Sequence, residues 1–376
     1  MTLRVTLAHP SAELYGSDLQ LAETVGAFVE AGHDVTVALP EPGPLVAVLE
    51  ERGARTVVAA FPVLRKAFLN PLGLVRLAVA TAGSLPRLWR AVGAADVVWV
   101  NTITVPAWLA VARVRRRDTV CHVHEAEDEG HRLVRTALAL PLLLAHRIVC
   151  NSQAARRSLT SVLPALEDRA TVVHNGVEGP PGEPTAPRPR RPGDPATLAL
   201  VGRWSPRKGT DVALEAVARL RSQGRDVRIE LCGSTFEGYE WFERDLRARA
   251  QAPDLAGAVS LLGFVRPVWS VLERADVVLV PSRVEPFGNT AVEALWARRP
   301  LVASRTQGLR EIVEDGVTGL QAEPGDAASL AAAIARLLDD PALAARLAEN
   351  GRREARRRFS TESYAAAVTS SLSPRP

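Results

Sequence analysis

Short apolar segments alternate with helical patterns along nearly the whole chain, and this alternation limits the possible folds more than any other feature. The segments predict strands at residues 4–8, 34–39, 55–60, 96–100, 119–124, 147–150 and 171–174, then at 197–201, 228–232, 259–262, 276–280, 301–304 and 319–322. A helix between two strands returns the chain to the end of the sheet where the first strand began, so the two strands run in parallel. The sequence therefore predicts an α/β fold with two Rossmann-like, doubly wound parallel sheets.

A proline-rich segment at residues 179–195 interrupts the alternation. This composition favours a stiff linker, so we expect an N-terminal domain at 1–178 and a C-terminal domain at 196–358. The tail at 359–376 contains a helical pattern that could cross back onto the first domain. Because parallel sheets bind ligands outside the carboxyl ends of their strands, the two sheets are expected to face a shared ligand across a cleft. The clearest helical patterns are 18–31, 211–223, 239–250, 289–297, 327–338 and 341–358.

Composition excludes several classes of protein. A hydrophobic content of 47% is typical of a globular chain, and a net charge of +4 over 376 residues argues against nucleic acid as a partner. The three cysteines form no C-x-x-C pair and are interpreted as reduced core residues of a cytoplasmic protein. No signal-peptide pattern precedes the first strand. The longest apolar run, 137–145, is too short to cross a bilayer and contains Pro141, so a buried or interfacial helix is expected.

The segment PSRVEPFGNTAVEALWA, residues 281–297, combines a strand end, a glycine-containing turn and a helix. Such a junction presents backbone N–H groups and the positive end of the helix dipole. Glu285 precedes the turn and Glu293 lies in the helix, so acceptors for hydroxyl groups flank a site for an anion. The pattern suits a phosphorylated sugar, although surface solvation of both glutamates is the alternative.

The segment GRWSPRKG, residues 202–209, also joins a predicted strand to a predicted helix. Arg203 and Lys208 place two cations beside the helix start, which suits a diphosphate. Lys208 is one of only two lysines in a chain rich in arginine, a composition that suggests a bacterial genome rich in G and C. The segment is neither G-x-G-x-x-G nor a Walker loop. The alternative is a solvated basic turn.

Taken together, these two segments resemble the retaining nucleotide-sugar glycosyltransferases of family 4. HNGV (174–177), LLGFV (261–265) and EIVEDGVTGL (311–320) support the resemblance, which extends over essentially the whole chain. It implies the GT-B fold, with two Rossmann-like domains that face each other across a cleft. It also implies a metal-independent enzyme without a cofactor, which moves a sugar from a UDP- or GDP-sugar donor to an acceptor hydroxyl with retention.

The resemblance also implies roles for individual residues of the second domain. Arg203 and Lys208 would bind the donor diphosphate and stabilise the leaving group. Glu285 would contact hydroxyls of the donor sugar, and Glu293 would accept hydrogen bonds from the ribose. The main chain near Phe264 and Val265 would border the nucleobase. The backbone amides that would hold the sugar and phosphate belong to Phe287, Gly288, Asn289 and Thr290.

In the first domain, the resemblance implies roles for a turn and a strand end. Gly16 would let the backbone approach the donor phosphate, although the family usually has two glycines in this turn; Ser17 or Asp18 could cap the following helix. His122 and His124 share a strand face, and His124 would point at the reacting sugar, either as a base or to orient the substrate. A structural histidine at a strand end is the alternative.

Other polar residues near predicted strand ends leave their roles open. Asn101 and Asn151 could line the cleft or cap turns. Gln307 stands where the family often has glycine, so the local loop and the donor specificity are in question. The acidic residues after His124 have no recognisable metal-ligand spacing, so a metal site is rejected. These residues are Glu125, Glu127, Asp128 and Glu129.

The acceptor is the part of the function on which the sequence gives least information. Lipid-linked or polysaccharide glycans are favoured, with a small secondary metabolite as the alternative; a nucleotide-sugar epimerase, a phosphorylase or a silent binding subunit are other classes on the same fold. Residues 65–90 could associate peripherally with the inner face of the plasma membrane, or could pack on the core as a helix. Their cationic and aromatic residues are Arg65, Lys66, Arg76, Arg87, Trp89 and Arg90.

Overall fold

A computed structural model of the chain describes residues 2–64, 68, 70–126, 130–187, 193–236 and 238–373. It divides into two compact units. Unit 1 comprises Met1–Gly176 and Thr361–Pro376, and unit 2 comprises Val177–Ser360. The described part of the proline-rich segment therefore belongs to unit 2, where Thr185 accepts two hydrogen bonds from the guanidinium of the buried Arg299.

Unit 1 is built on a seven-stranded parallel sheet with the strand order β3-β2-β1-β4-β5-β6-β7. Its strands are β1 (Arg4–Ala8), β2 (Asp34–Leu39), β3 (Arg55–Val58), β4 (Val97–Asn101), β5 (Asp118–Val123), β6 (Arg147–Cys150) and β7 (Ala170–Val172). Its helices are α1 (Gly16–Glu30), α2 (Leu45–Glu51), α3 (Pro71–Gly93), α4 (Pro106–Val114), α5 (Arg132–Ala139) and α6 (Gln153–Val162). Apolar residues cover both faces of the sheet and form two core clusters, as a parallel sheet requires.

Unit 2 repeats this architecture with a six-stranded parallel sheet in the order β10-β9-β8-β11-β12-β13. Its strands are β8 (Ala196–Val201), β9 (Val227–Cys232), β10 (Val259–Gly263), β11 (Val277–Val280), β12 (Leu301–Ser304) and β13 (Leu320–Ala322). Its helices are α7 (Thr210–Ser222), α8 (Glu240–Ala250), α9 (Trp269–Arg274), α10 (Asn289–Trp296), α11 (Leu309–Ile312), α12 (Ala327–Asp339) and α13 (Pro341–Arg358). The central strand β11 is buried at every position, which explains its uniformly apolar sequence.

The prediction of two doubly wound parallel sheets is confirmed, and the predicted strands agree with the observed ones to within two residues at each end. The apolar run 137–145, expected to be a buried or interfacial helix, divides between two helices. Helix α5 ends at Ala139, and Leu140–Leu144 form a 3₁₀ helix. Pro141 explains the change, because proline cannot donate the backbone hydrogen bond that an α-helix needs at this position. In the described ranges, no helix is both long and apolar enough to cross a bilayer.

The last helix, α14 (Thr361–Ser370), belongs to unit 1 and packs on α1. Tyr364, Val368 and Leu372 are buried in the same core cluster as β1. The Tyr364 hydroxyl lies 2.6 Å from the Thr24 hydroxyl, and this contact is buried. The chain thus returns to the first sheet after completing the second.

Tyr364→Ala should lower the free energy of unfolding of unit 1 by about 3–5 kcal/mol, because it removes a buried aromatic ring. Tyr364→Phe should cost only about 1 kcal/mol, the contribution of one hydrogen bond. Urea unfolding followed by circular dichroism measures both. The exposed Glu362→Ala on the same helix is the control, and a loss in the alanine variant no larger than in this control would contradict the packing.

Candidate active site

In unit 2 the strand order reverses between β8 and β11, and the predicted site residues cluster there. Helices that follow strands on either side of such a point lie on opposite faces of the sheet, which leaves a crevice at the carboxyl ends of the strands. The loop after β8 contains Lys208, and the loop after β11 contains Glu285. The topology therefore brings together two residues that lie 77 positions apart in the sequence.

Backbone and side-chain contacts hold these two loops against each other. Arg283 forms a two-pronged ion pair with Asp211 at the start of α7, with N–O distances of 2.9 and 2.7 Å. Its backbone N–H donates to the Arg207 carbonyl at 2.8 Å. Gly209 has a φ of +69°, and a Cβ atom there would lie only 2.0 Å from the Pro281 carbonyl oxygen. Only glycine allows this approach, so the loop geometry is fixed by the sequence.

Lys208 and Glu285 form an ion pair inside this crevice. The Lys208 Nζ lies 2.5 Å from Oε2 of Glu285, and the Ser282 hydroxyl donates to the same oxygen at 3.1 Å. Glu285 is only 6% exposed. Burial works against its ionisation, but Lys208, Arg207 and Ser282 outweigh that effect and hold the pKa of Glu285 below its ordinary value. The site therefore presents an ionised carboxylate beside an ammonium group.

Gln307 fixes the backbone of Glu285. Its side-chain oxygen accepts from the Glu285 N–H at 3.1 Å, and the Gly308 N–H donates to the Glu285 carbonyl at 3.0 Å. Gln307 has a φ of +32°, the left-handed region that glycine adopts most readily. The side chain that replaces the family's glycine thus makes a contact to Glu285 that glycine could not make.

Glu293 lies one turn into α10 and is partly buried. Burial raises the pKa of Glu293 to about 7, although Arg266 and Lys208 act in the opposite direction. A carboxyl with this pKa is half protonated near neutral pH. Glu293 therefore differs in protonation from Glu285, although both follow the same strand.

The start of α10 lies directly after Glu285. Gly288 has a φ of +122° and precedes the helix, whose first residues are Asn289 and Thr290. The Phe287 ring is buried and packs edge-on against Phe359, with ring centroids 5.8 Å apart. Because the ring anchors the turn in the core, what this segment offers a ligand is its backbone.

The remaining predicted residues of unit 2 lie in the loops after β8 and β10. The guanidinium of Arg203 lies 4.5 Å from the centroid of Phe236, in the loop that follows β9. Phe264 is 56% exposed, and Val265 packs against the core. Arg203 is thus placed by a cation–π contact, whereas Lys208 is placed by an ion pair.

In unit 1 the strand order reverses between β1 and β4, and buried polar side chains converge there as well. His9 directly follows β1, Asn101 ends β4, and His124 directly follows β5. His9 Nε2 lies 2.7 Å from Asp18 Oδ1, and His9 Nδ1 lies 2.8 Å from Asn101 Nδ2. The Asn101 Oδ1 lies 3.0 Å from His124 Nε2. Four residues from three strand ends and one helix form a continuous chain of hydrogen bonds.

His124 is a neutral imidazole in this environment. Burial, with a smaller contribution from His9, lowers the pKa of His124 to about 3, although Asp18 acts in the opposite direction. Its neighbour His122 is fully buried, with ring centroids 4.1 Å apart. Burial also lowers the pKa of His122 well below its usual value. As predicted, the two rings lie on one side of the strand.

The turn that contains Gly16 differs from the prediction. Neither Ser17 nor Asp18 is the N-cap residue of α1, because the helix begins at Gly16 and Tyr15 occupies that position, with Asp18 as the N3 residue of a capping box. Asp18 instead reaches back with Oδ2 to accept from the Tyr15 N–H at 2.9 Å. The other oxygen of Asp18, Oδ1, contacts His9 Nε2, so this carboxylate joins the start of α1 to the chain of hydrogen bonds.

The sequence reasoning missed His9. Its position directly after β1, beside the point where the strand order reverses, is the signal that could have identified it. Asn101, which could line a cleft or cap a turn according to the sequence, joins two histidines in the structure. After β6, Ser152 caps α6 by accepting from the Ala155 N–H at 3.0 Å, and Asn151 Nδ2 lies 3.5 Å from the His124 carbonyl oxygen.

Among the described residues, no three His, Cys, Asp or Glu side chains are arranged to hold a metal ion. Glu125 belongs to this part of the chain, whereas Glu127, Asp128 and Glu129 lie outside it. Arg65 and Lys66, which contribute to the predicted membrane-associating segment, also lie outside the described residues.

Comparison with known proteins identifies the family of the chain. Residues 16–178 match the model of Glycosyltransferase Family 4, and residues 183–354 match that of Glycosyl transferases group 1. A glycogen synthase of Mycobacterium tuberculosis is 36% identical over 200 residues, which are 53% of this chain and 47% of the relative. An alpha-D-kanosaminyltransferase of Streptomyces kanamyceticus is 35% identical over 159 residues, which are 42% and 40% of the two chains. The matches span about half the length of these curated relatives.

A solved structure with the same fold is that of Anabaena Alr3699/HepE in complex with UDP and glucose. It superposes with a TM-score of 0.82 at 21% identity and covers 99% of this chain and 100% of that one. The two family models, two parallel α/β units and this structural likeness agree. The chain belongs to the group 1 glycosyltransferases of family 4 and has the GT-B fold.

The raised pKa of Glu293 predicts a stability that depends on pH. Because its folded pKa of about 7 exceeds the ordinary value of 4.5, the wild type should be fully stabilised below pH ~4.5 and lose stability as the pH rises through ~7. Glu293→Gln removes this dependence, so its stability relative to wild type should increase by up to about 3 kcal/mol across that range. Urea unfolding at several pH values measures the difference. A difference that stays constant from pH ~5 to ~8 would contradict the buried environment of Glu293.

Proposed function

We propose that this protein is a retaining glycosyltransferase that moves a sugar from a nucleoside-diphosphate donor to an acceptor hydroxyl. The observation that carries the proposal is the part-buried Lys208–Glu285 pair, which lies at the strand-order reversal directly before the start of α10. An ammonium group and a helix N-terminus suit a diphosphate, and an adjacent ionised carboxylate suits sugar hydroxyls. Residues 196–358 would bind the donor, and residues 1–178 the acceptor.

In this proposal each charged residue binds a different part of the donor. Lys208 and Arg203 neutralise the diphosphate and stabilise the negative charge that develops on it as the glycosidic bond breaks. Glu285 accepts from hydroxyls of the transferred sugar. Glu293 accepts from the ribose, while the main chain at Phe264 and Val265 borders the base. The backbone amides of residues 287–290 and of Gly16 contact the phosphates, and no metal takes part.

His124 is proposed to orient the substrate and not to act as the base. A general base works best when its pKa is close to the working pH, and the pKa of His124 is about 3. A neutral imidazole nevertheless accepts a hydrogen bond well. The departing phosphate would then remove the acceptor proton, which agrees with transfer on the face that the leaving group vacates.

The donor base is either uracil or guanine. The complex of HepE with UDP and glucose supports uracil. The acceptor is proposed to be a polysaccharide or glycolipid precursor, and the likeness to a kanosaminyltransferase supports a small secondary metabolite as the alternative.

Lys208→Ala and Glu285→Gln should each lower transfer by on the order of 10²-fold or more, because the first removes a positive charge beside the donor diphosphate and the second a negative charge beside the transferred sugar. Sugar transfer from a panel of UDP- and GDP-sugars to glycan, lipid-linked and small-molecule acceptors measures the effect. Arg219→Ala, which removes an exposed cation from α7, is the matched control. Since Lys208→Ala also leaves a buried carboxylate unpaired, melting temperatures are recorded alongside.

Near-normal turnover of both variants would contradict the proposed site. Donor binding without transfer to any acceptor would instead favour a silent binding subunit. Release of an epimerised sugar nucleotide in the absence of acceptor would favour an epimerase.

Helix α3 supports a second proposal, that the protein works at the inner, cytoplasmic face of the plasma membrane. The helix exposes Leu72, Val75, Val79 and Trp89 at 61, 60, 69 and 47% of their surfaces. It contains three arginines and no acidic residue between Pro71 and Gly93. An exposed apolar surface with only positive charge suits an anionic bilayer.

The full-length protein should sediment with vesicles that contain anionic phospholipid at low salt, and less so with neutral vesicles. Val75→Ser together with Val79→Ser should weaken the binding, because both side chains are exposed on α3. Val114→Ser, at an exposed valine of α4, is the control. Equal sedimentation with and without anionic lipid would rule out the membrane proposal.

A further inference from the structure

The polar chain of unit 1 has a defined direction, which follows from Asp18. An ionised carboxylate can only accept hydrogen bonds, and the pKa of Asp18 is lowered because contacts with His9 and the Tyr15 N–H outweigh its burial. His9 must therefore carry its proton on Nε2 and donate it to Asp18. The Asn101 amide nitrogen lies 2.8 Å from Nδ1 of His9, and since this nitrogen can only donate, Nδ1 is the acceptor.

The same reasoning fixes the proton on His124. Once the Asn101 nitrogen donates to His9, the amide oxygen faces His124 and accepts from Nε2 at 3.0 Å. A neutral imidazole has one N–H, so Nδ1 of His124 is left with a lone pair. In the described part of the chain no protein group bonds to this Nδ1, and it is not among the fully buried unpartnered atoms, unlike both nitrogens of His122. The chain of hydrogen bonds therefore begins at Asp18, at the start of α1, and ends at the accessible acceptor Nδ1 of His124.

We propose that Asp18, His9 and Asn101 are positioning residues that fix the tautomer of His124, so that its Nδ1 accepts a hydrogen bond from a substrate hydroxyl. The proposal rests on the proposed function for the identity of that substrate. The tautomer itself is a property of the free protein. No proton moves along the chain during the reaction; the three residues act by holding one arrangement of donors and acceptors.

A purely structural role is the alternative, since buried polar networks also stabilise folds. The geometry favours the positioning role for two reasons. His124 makes its side-chain hydrogen bond through the nitrogen that faces the protein, while its other nitrogen stays available. The amide nitrogen of Asn101 faces His9 and its amide oxygen faces His124. If the donor and acceptor roles of one residue are exchanged, those of the next residue must therefore be exchanged as well.

Asp18→Asn tests this coupling. The Tyr15 N–H needs an acceptor at the Oδ2 position, so the new amide should place its oxygen there and its NH₂ group against His9. His9 Nε2 then becomes an acceptor, the Asn101 amide turns over, and His124 carries its proton on Nδ1. We expect ¹⁵N NMR of histidine-labelled full-length protein to show the tautomers of both His9 and His124 exchanged. Transfer should fall by about ten- to a hundredfold in kcat/KM, the effect of one misdirected hydrogen bond.

Asn101→Asp separates positioning from structural integrity. A carboxylate at 101 still accepts from His124 Nε2, so the tautomer of His124 should stay as in wild type. Asn101→Asp alters a residue in direct contact with His124, whereas His9 and Asn101 separate Asp18 from His124. Asn101→Asp should nevertheless retain more sugar transfer than Asp18→Asn. A structural role predicts the reverse order, because a second buried carboxylate is the greater disturbance.

Thr24→Val is the matched control on α1. It removes a buried hydrogen bond to Tyr364 that does not belong to the hydrogen-bond chain from Asp18 to His124. It should leave both tautomers and kcat/KM unchanged. Unchanged tautomers in Asp18→Asn would overturn the proposal, as would exchanged tautomers without a change in kcat/KM. If wild type shows the predicted tautomers but transfers no sugar, the proposed function fails while the coupling of the four residues stands.

Discussion

A reversal of strand order in a parallel sheet leaves the carboxyl ends of two neighbouring strands uncovered, because the helices that follow them lie on opposite faces. Both units of this chain contain one such point, between β1 and β4 and between β8 and β11. Loops from these strands must satisfy their own polar groups there without a covering helix. The residues proposed for function lie largely at these two places, so the topology of the sheets determines where the chemistry can occur.

The polar groups at the two crevices are satisfied in different ways. In unit 2 the solution is ionic, since Lys208 neutralises Glu285 and a glycine turn brings their loops into contact. In unit 1 the polar groups form a directional hydrogen-bond chain in which the carboxylate of Asp18 lies at the far end from His124. A charged crevice suits the diphosphate of a donor. A neutral acceptor suits a sugar hydroxyl, which would be held without strong charge nearby.

Much of the fold could be predicted because apolar strands buried on both faces leave a clear sequence pattern. The residues around Glu285 and Lys208 could be predicted for a similar reason, since each follows such a strand and precedes a helix. The Lys208–Glu285 pair itself could not, because nothing local indicates which of many charged residues meet across 77 positions. The contact from Gln307 to Glu285 was also beyond reach, since it depends on the backbone path of two loops.

The polar chain of unit 1 shows the same limit. His124 and Asn101 were identified at strand ends, but their partnership depends on the strand order, which the sequence does not state. His9 was overlooked because its position directly after β1 becomes informative only once the strand order is known. The sequence offers Ser17 or Asp18 as an N-cap, because such residues are common at helix starts, whereas in the structure Asp18 contacts both the Tyr15 N–H and His9.

A crystal structure of the full-length protein with a bound nucleoside-diphosphate sugar would show directly whether Lys208 and Glu285 hold the donor. We expect the diphosphate beside Lys208 and the first residues of α10, the ribose on Glu293, and the sugar hydroxyls on Glu285. A donor bound elsewhere in unit 2, with the Lys208–Glu285 pair untouched, would contradict this expectation.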